Sequence, residues 1–217
     1  MISMKRVVVT GGHGDLAQAC AGEFNSAGWI VDAPGRVELD VTNPQVVKTY
    51  FEDREVDLLI CAAGIVMDRP LMNLSETDWD AVLATHLNGV RNCCRAVLPG
   101  WNFRQRGHVV LISSYSALHP PLGQVAYATA KAALLGLTAD LAKRHGGAGI
   151  RCNAILPGFM ETRMTKSVTP ARKIQVLADH QLNAFNTVDD TARFIRFLHE
   201  NLPHTSGQTF QLDSRIF

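Results

Sequence analysis

The feature that most constrains the fold of this 217-residue chain is its N-terminal succession of apolar run, glycine-rich turn and helix. Val7 to Val9 is an apolar run typical of a buried parallel strand. Residues 10–14 contain three glycines, and residues 16–24 show the apolar periodicity of an amphipathic helix. When such a turn opens a βαβ unit, its backbone N–H groups can bind a pyrophosphate. The segment therefore predicts an α/β fold with a dinucleotide site at the first turn.

The rest of the chain alternates strand-like and helix-like segments. Predicted helices lie at about 44–53, 78–98, 124–144 and 189–200, and predicted strands lie at 56–62, 108–113, 150–155 and 208–212, with a short strand near 37–41. This alternation predicts an α/β fold with a Rossmann-like, doubly wound parallel sheet. We expect a single domain over residues 1–217, because no linker, repeat or low-complexity segment interrupts it.

Two departures from regular alternation stand out. Residues 29–36 run almost directly into residues 37–41, so the helix between strands 2 and 3 should be shortened or absent. Residues 161–186 form the most polar and irregular stretch. By position this stretch would cover a substrate.

Three polar side chains are placed to converge at the carboxyl end of a strand. Tyr127 and Lys131 lie four apart on a predicted helix and share one face. Ser114 ends a β-rich run thirteen residues before the tyrosine. A nearby lysine cation and a positively charged nicotinamide would lower the pKa of the phenol and make it a usable acid or base. A tyrosine–lysine pair at this spacing is also common on helix surfaces, and the serine and the glycine-rich turn argue against that interpretation here.

Taken together, these residues resemble the short-chain dehydrogenase/reductase family, and most of all its 3-oxoacyl-[acyl-carrier-protein] reductases. The resemblance extends over essentially the whole chain. It is carried by Thr10–Gly11, Cys61–Gly64, Ser114, Tyr127, Lys131, Pro157–Thr162 and Ser206–Leu212.

The resemblance implies a function, a mobile lid at about residues 161–186 and a set of site residues. The implied catalytic residues are Ser114, Tyr127 and Lys131, with His86 where the family has an asparagine. The implied cofactor contacts are Gly11, Gly14, Asp15, Leu16, Arg36, Asp40, Val41, Cys61, Ala62, Ala63, Gly64, Tyr127, Lys131, Pro157, Gly158 and Thr162. The implied reaction is the NADPH-dependent reduction of a ketone to a secondary alcohol, most of all of a 3-oxoacyl thioester bound to acyl carrier protein. The alternatives are a reductase of another small ketone, sugar or polyol, or a non-catalytic dinucleotide-binding regulator or partner subunit.

The glycine-rich turn departs from the family pattern. Without gaps, its second and third glycines become Asp15 and Ala17. A carboxylate near a pyrophosphate is repulsive unless it turns away or caps amides. A one-residue deletion would instead make Gly14 the second glycine, and the sequence leaves both alignments open.

His86 is a second departure. The family asparagine holds a water in a proton relay that begins at the lysine. A neutral histidine can both donate and accept a hydrogen bond, so His86 could take over that role with a different pH dependence. Alternatively His86 only packs, and the relay is altered or lost. Asn88, two residues on, would face elsewhere on a helix.

Cofactor choice depends on the end of the second strand. NAD-binding relatives carry an acid there, whereas this chain has Gly35–Arg36, and Asp32 comes too early. A guanidinium suits a 2′-phosphate, so we expect NADP(H) to be favoured over NAD(H). The alternative is a solvent-exposed arginine on a shortened loop.

Composition excludes several classes of function. The formal net charge of +1 gives no bulk attraction to nucleic acid or acidic membranes. Five cysteines without a CxxC pattern argue against disulfides and suit a reducing cytoplasm, and no Cys or His pair has the spacing of a metal site. No run of 18 apolar residues occurs. We expect a cytoplasmic protein without a metal, nucleic-acid partner or membrane span, and the resemblance implies a homodimer or homotetramer. Arg172 and Lys173 could meet an acidic carrier protein or form a solvated basic pair.

Overall fold

Strands and helices alternate along the chain in the computed structural model, which describes residues 4–216. The strands are β1 (Arg6–Thr10), β2 (Ile30–Asp32), β3 (Leu58–Cys61), β4 (Gly107–Ile112), β5 (Ile150–Leu156) and β6 (Thr209–Gln211). The α-helices are α1 (Asp15–Ser26), α2 (Pro44–Glu52), α3 (Glu76–Leu83), α4 (Gly89–Arg104), α5 (Val125–His145), α6 (Pro170–Ala178) and α7 (Val188–Asn201). The predicted segments are confirmed within a few residues, with the exceptions given below.

All six strands are parallel and lie in the order β2-β1-β3-β4-β5-β6. The chain winds in one direction from β1 to β2 and in the other from β3 onwards. The strand order therefore reverses beside the carboxyl ends of β1 and β3, where open α/β sheets bind their ligands. The predicted Rossmann-like, doubly wound parallel sheet is confirmed.

Helices cover both faces of the sheet and bury two apolar cores. One core lies under α2, α4 and α5 and includes four of the five cysteines, Cys61, Cys93, Cys94 and Cys152. The other lies under α1 and α7, where Phe24 and Ile195 are fully buried. Because both faces are covered, the strands are continuously apolar rather than alternating.

The strand predicted at residues 37–41 is wrong. This segment forms a turn in which Leu39 N–H donates to the Gly35 carbonyl at 3.0 Å. The Asp40 carboxylate accepts from Thr42 N at 2.9 Å and from Thr42 Oγ1 at 2.7 Å, which bends the backbone away from a strand. No helix lies between Asp32 and Pro44. The expected loss of the helix is confirmed, and the described sheet has β2 as an edge.

The long helix predicted at 78–98 extends from Glu76 to Arg104 and is not regular throughout. A π-helical turn, Ala84–Asn88, separates α3 from α4. Such turns widen the helix locally and often occur at functional sites. His86 lies in this turn.

The segment 161–186 is more ordered than its composition predicts, because it contains α6. Thr169 caps this helix through its hydroxyl, which accepts from Arg172 N at 3.3 Å, and Pro170 occupies the first turn. Its function as a lid stays a prediction.

Candidate active site

The structure brings Ser114, Tyr127 and Lys131 together at the carboxyl end of β4. Ser113 Oγ donates to the Lys131 carbonyl at 2.8 Å and fixes α5 against the end of the strand. The Ser114 hydroxyl accepts from Ser116 N at 3.1 Å and lies near enough to the Tyr127 phenol to lower its pKa. Lys131 Nζ lies 5.5 Å from the centre of the tyrosine ring and donates to the Ile112 carbonyl at 2.5 Å. A phenol, a hydroxyl and an ammonium thus share one small region.

Burial dominates the electrostatics of these groups. It raises the pKa of Tyr127 above its usual value, against the lowering effect of the nearby Ser114 hydroxyl. Burial also lowers the pKa of Lys131 to about 8. The lowering expected for Tyr127 is therefore not produced by the protein groups alone. The other group expected to lower the pKa of Tyr127 is the positive charge of an oxidised nicotinamide.

His86 lies beside this group, with 1% of its surface exposed and its ring edge-on to Tyr127 at 5.1 Å between centres. Its Nε2 is 2.7 Å from the Ile65 carbonyl oxygen and 3.0 Å from Ile65 N. The shorter contact favours a tautomer in which Nε2–H donates to the carbonyl. Burial, followed by the charge of Lys131, lowers the pKa of His86 to about 3. His86 is thus neutral at physiological pH, and its Nδ1 has no hydrogen-bond partner among residues 4–216.

The glycine-rich turn packs closely against the loop that follows β3. Gly11 has a φ of +72°, and a Cβ there would lie 2.7 Å from Ala63 Cα. Thr10 Oγ1 accepts from the backbone N–H groups of Ala62 and Ala63, both at 3.1 Å. The predicted contacts Cys61, Ala62, Ala63 and Gly64 therefore lie next to the turn.

The start of α1 suits a phosphate. Gly14 is the N-cap and carries no side chain to accept from the first amides of the helix, which continues through Leu16. These free N–H groups and the helix dipole fit the pyrophosphate of a dinucleotide.

The carboxylate of Asp15 is not an unpaired negative charge at this phosphate site, because Arg163 binds it. The carboxylate accepts from Arg163 N at 2.6 Å and from Arg163 Nε at 2.7 Å. Arg163 also donates from Nη2 to the His13 carbonyl. The Arg163 backbone N–H, followed by its side chain, keeps the pKa of Asp15 below its usual value. Sequence reasoning missed Arg163, which is 148 residues away along the chain.

At the expected adenosine end of the site, Arg36 is exposed to solvent. Its side chain is 80% exposed, and its Nε lies 3.4 Å from the Asp40 carboxylate. Asp32, the acid near the end of β2, is instead paired with Arg6 at 2.6 Å. Val41 is buried, and its carbonyl accepts from Asn92 Nδ2 at 3.0 Å.

The segment after β5 supplies the remaining predicted contacts. Pro157 accepts from Asn186 Nδ2 at 2.9 Å, and Gly158 has a φ of +79°. Thr162 N–H donates to Thr165 Oγ1 at 2.9 Å, in a short capped turn. The structure places all three at the carboxyl end of the sheet.

The C-terminal tail is a second feature that sequence reasoning missed. The side chain of Asp213 is fully buried and paired with Arg215, whose guanidinium stacks on Tyr115 at 3.2 Å from the ring centre. Ser214 bonds to the backbone N–H groups of Gln181 and Leu182 through its carbonyl and hydroxyl, both at 3.2 Å. The tail thus joins the end of segment 161–186 to the residue after Ser114. No local pattern in the sequence marks this contact.

Other candidate sites lack comparable chemistry. A cavity of about 830 Å³ lies between α2 and α4, but none of Ser114, Tyr127 and Lys131 lines it. Over residues 4–216, no group of three or more His, Cys, Asp or Glu side chains is arranged to hold a metal ion. Within the same range, no helix is both long and apolar enough to cross a membrane.

Comparison with known proteins finds relatives over most of the chain. The family model for short chain dehydrogenase matches residues 6–173. The 3-oxoacyl-[acyl-carrier-protein] reductase FabG of Thermotoga maritima is 33% identical over 192 residues, which cover 84% of this chain and 78% of that protein. The FabG of Chlamydia muridarum is 35% identical over 175 residues, covering 80% and 71%.

Solved structures show the same fold. A short-chain dehydrogenase/reductase family oxidoreductase from Burkholderia thailandensis superposes with a TM-score of 0.91 at 26% identity, covering 98% of this chain and 92% of that one. ElxO with NADP bound superposes with a TM-score of 0.88 at 24% identity, covering 97% and 98%.

The fold and the site define an oxidoreductase of the class that binds a nicotinamide dinucleotide. The chain belongs to the short-chain dehydrogenase family, and the predicted resemblance to its 3-oxoacyl-[acyl-carrier-protein] reductases is confirmed.

Proposed function

We propose that this protein reduces a ketone to a secondary alcohol with NADPH, and that the ketone is a 3-oxoacyl thioester. The observation that supports the reaction is the convergence of Ser114, Tyr127 and Lys131 at the end of β4. The bound nicotinamide supplies the hydride. The first turn of α1 and the loop from Cys61 to Gly64 hold the dinucleotide.

The side chains of this site donate the proton and stabilise the developing negative charge. Tyr127, kept protonated by burial, donates its proton to the oxygen of the carbonyl group as it becomes an alkoxide. Ser114 donates a hydrogen bond to the same oxygen and stabilises its charge. Lys131 binds the nicotinamide ribose and, with a pKa of about 8, remains mostly charged at neutral pH. His86 accepts a hydrogen bond at Nδ1 from the water that replenishes the proton.

The surface around the site favours an acyl substrate over a sugar or polyol. The loops that follow β3 and β4 are joined by a 2.6 Å hydrogen bond from Gln124 to Asp68. The exposed apolar side chains on these loops are Val66, Met67, Leu71, Met72, Leu118 and Leu122. Further exposed apolar side chains on the segment after β5 are Met164, Ile174 and Leu182. An apolar rim at the strand ends suits an alkyl chain, whereas polyols need polar partners.

Arg36 supports the choice of NADPH. It is exposed next to the adenine-side residue Asp40, and the competing acid Asp32 is neutralised by Arg6. A guanidinium in this position binds a 2′-phosphate, which NADH lacks.

The partner of the acyl group is proposed to be an acidic carrier protein, as the names of the FabG relatives suggest. Arg172 is exposed for that contact, whereas Lys173 is already paired with Glu161 at 2.7 Å. A homodimer or homotetramer in the cytoplasm completes the proposal.

Titration with NADPH and NADH tests the proposal first, with quenching of Trp79 as the signal. This tryptophan packs in the same apolar cluster as Tyr127. We expect tight NADPH binding, weaker NADH binding, and NADPH binding about 10- to 100-fold weaker in Arg36→Ala, from the loss of charge-assisted bonds. Binding of neither nucleotide by the wild type would contradict the proposal.

Activity with 3-oxoacyl thioesters is the second test. Tyr127→Phe should bind NADPH normally and lose turnover by about 10²- to 10⁴-fold. Retained turnover in this variant would refute the role of Tyr127.

A further inference from the structure

Two segments that flank the expected dinucleotide site are fastened to each other by Asp15 and Arg163. Asp15 is the first residue of α1, directly after the glycine-rich turn, and Arg163 directly follows Thr162. The contact combines a backbone N–H, a guanidinium and a carboxylate, with distances of 2.6 Å and 2.7 Å. Because it includes the backbone, it fixes the position of the segment as well as that of a side chain.

One side of this contact is rigid. A Cβ on Gly11 would collide with Ala63, and one on Gly12 would collide with the backbone of Ala33. The turn is thus packed on both sides and cannot shift far without breaking these contacts.

The other side forms a small unit with weaker support from its surroundings. Thr162 to Thr165 is closed on itself, since Thr165 Oγ1 accepts from Thr162 N at 2.9 Å and donates to the Met160 carbonyl at 2.8 Å. Arg163 and Met164 are exposed. The unit can therefore move as a whole, and the Asp15 contact ties it to the turn.

We propose that Asp15 and Arg163 form a clasp, a positioning pair that holds Thr162 over the dinucleotide and whose opening sets the rate of cofactor release. The inference rests on the proposed binding of NADPH. It also gives Asp15 a function: its carboxylate is neutralised by Arg163 while it holds the segment in place.

The clasp is tested first without any cofactor, by limited trypsin digestion of the apoprotein. Asp15→Asn keeps every tryptic site in the segment, including Lys166, Arg172 and Lys173. We expect cleavage there to be about fivefold to tenfold faster than in the wild type, because a charge-assisted contact is lost. An unchanged cleavage rate would overturn the clasp, whatever the protein binds.

Cofactor release is then measured by stopped flow, with NADPH displaced by excess NADP⁺. The clasp predicts that Asp15→Asn speeds release about fivefold to tenfold, that Arg163→Gln, which keeps the backbone N–H bond, speeds it less, and that the double variant is no faster than Asp15→Asn. Binding of 2′,5′-ADP, which lacks the nicotinamide half, should change less than twofold. Salt at about 0.5 M should speed release more in the wild type than in the variants, since it screens the phosphate contacts in all of them but the clasp only in the wild type.

The matched control is Glu161→Gln, which breaks an exposed ion pair with Lys173 in the same segment. It should leave both the cleavage rate and the release rate unchanged. An effect as large as that of Asp15→Asn would mean that any lost ion pair loosens the segment, and would refute the clasp. If Asp15→Asn slows release while Arg163→Gln speeds it, the two residues act as separate charges on the pyrophosphate and the clasp is refuted. If the wild type binds no NADPH, the proposed function fails, and the proteolysis result alone decides whether the contact orders the segment.

Discussion

Replacing His86 with asparagine should make the folded protein less sensitive to acid. The His86 ring is buried, and burial together with the charge of Lys131 lowers its pKa from 6.5 to about 3. The unfolded chain takes up a proton on this ring as the pH falls below about 6.5, whereas the folded chain does so only near pH 3. The stability that His86 contributes by staying neutral is therefore complete above pH 6.5 and is lost progressively between pH 6.5 and pH 3.

The magnitude follows from these two pKa values. The gap between 6.5 and about 3 corresponds to about 5 kcal/mol in total, at roughly 1.4 kcal/mol per tenfold change in proton affinity. Between pH 7.5 and pH 5.0, about 2 kcal/mol of the free energy of unfolding should be lost through His86. Asparagine does not titrate, so His86→Asn should lose about 2 kcal/mol less than the wild type over the same interval.

Urea unfolding at pH 7.5 and pH 5.0, at one protein concentration and followed by the fluorescence of buried Trp101, measures this difference. The comparison uses the change with pH in each protein, so a lower stability of the variant at pH 7.5 does not affect it. His199→Gln is an independent test, since burial lowers the pKa of His199 to about 3 as well. Substitution of the exposed His204 by asparagine controls for replacing a histidine as such. Equal losses in the wild type and both buried-site variants would refute the reasoning.

Three further predictions concern buried groups. None of the five cysteines should react with a thiol reagent at pH 8 in the folded protein, because all are buried and burial raises the pKa of Cys20, for example, to about 12. All five should react in guanidinium, and a fast-reacting thiol in the native state would contradict the prediction. Asp213→Asn leaves the guanidinium of Arg215 without its buried charged partner and should lower the free energy of unfolding, measured by urea denaturation, by about 3 kcal/mol. Little change would show that the tail is not part of the cooperative fold. Gly11→Ala places a Cβ against Ala63 at a positive φ, and should cost about 1–3 kcal/mol of stability and abolish NADPH binding in the fluorescence titration, whereas normal binding would show that the turn can adjust.

Local sequence patterns predicted those parts of the site whose residues are close along the chain. Tyr127 and Lys131 are one helical turn apart, and Ser114 ends the preceding strand, so their meeting follows from the helix period and the sheet topology. The contact between Asp15 and Arg163 could not be found in this way. It joins residues 148 apart that share no motif, and it depends on the path of the segment after β5.

The strand predicted at 37–41, which the structure does not contain, shows that local patterns can also mislead over only five residues. Val37, Leu39 and Val41 alternate with polar residues as in a strand, but only part of that face is buried: Val37 is 92% exposed, whereas Leu39 and Val41 are 3% and 6% exposed. The Asp40 side chain also bonds to Thr42 and replaces the ladder that a strand would need. An alternating sequence pattern thus supplies neither the burial nor the hydrogen bonds of a half-buried strand by itself.

The electrostatics of Tyr127 could be predicted only in part, because the sequence shows neighbouring charges but not the depth of burial. Lys131 was expected to lower the pKa of the phenol, yet burial shifts both groups towards their neutral forms, the tyrosine upward and the lysine down to about 8. The protein groups alone therefore keep Tyr127 protonated at neutral pH, ready to act as an acid. Ketone reduction needs an acid at this position, whereas alcohol oxidation needs a base. Since only the oxidised cofactor brings a positive charge that favours the phenolate, the site is better prepared for the reductive direction, and the oxidative reaction should require a higher pH.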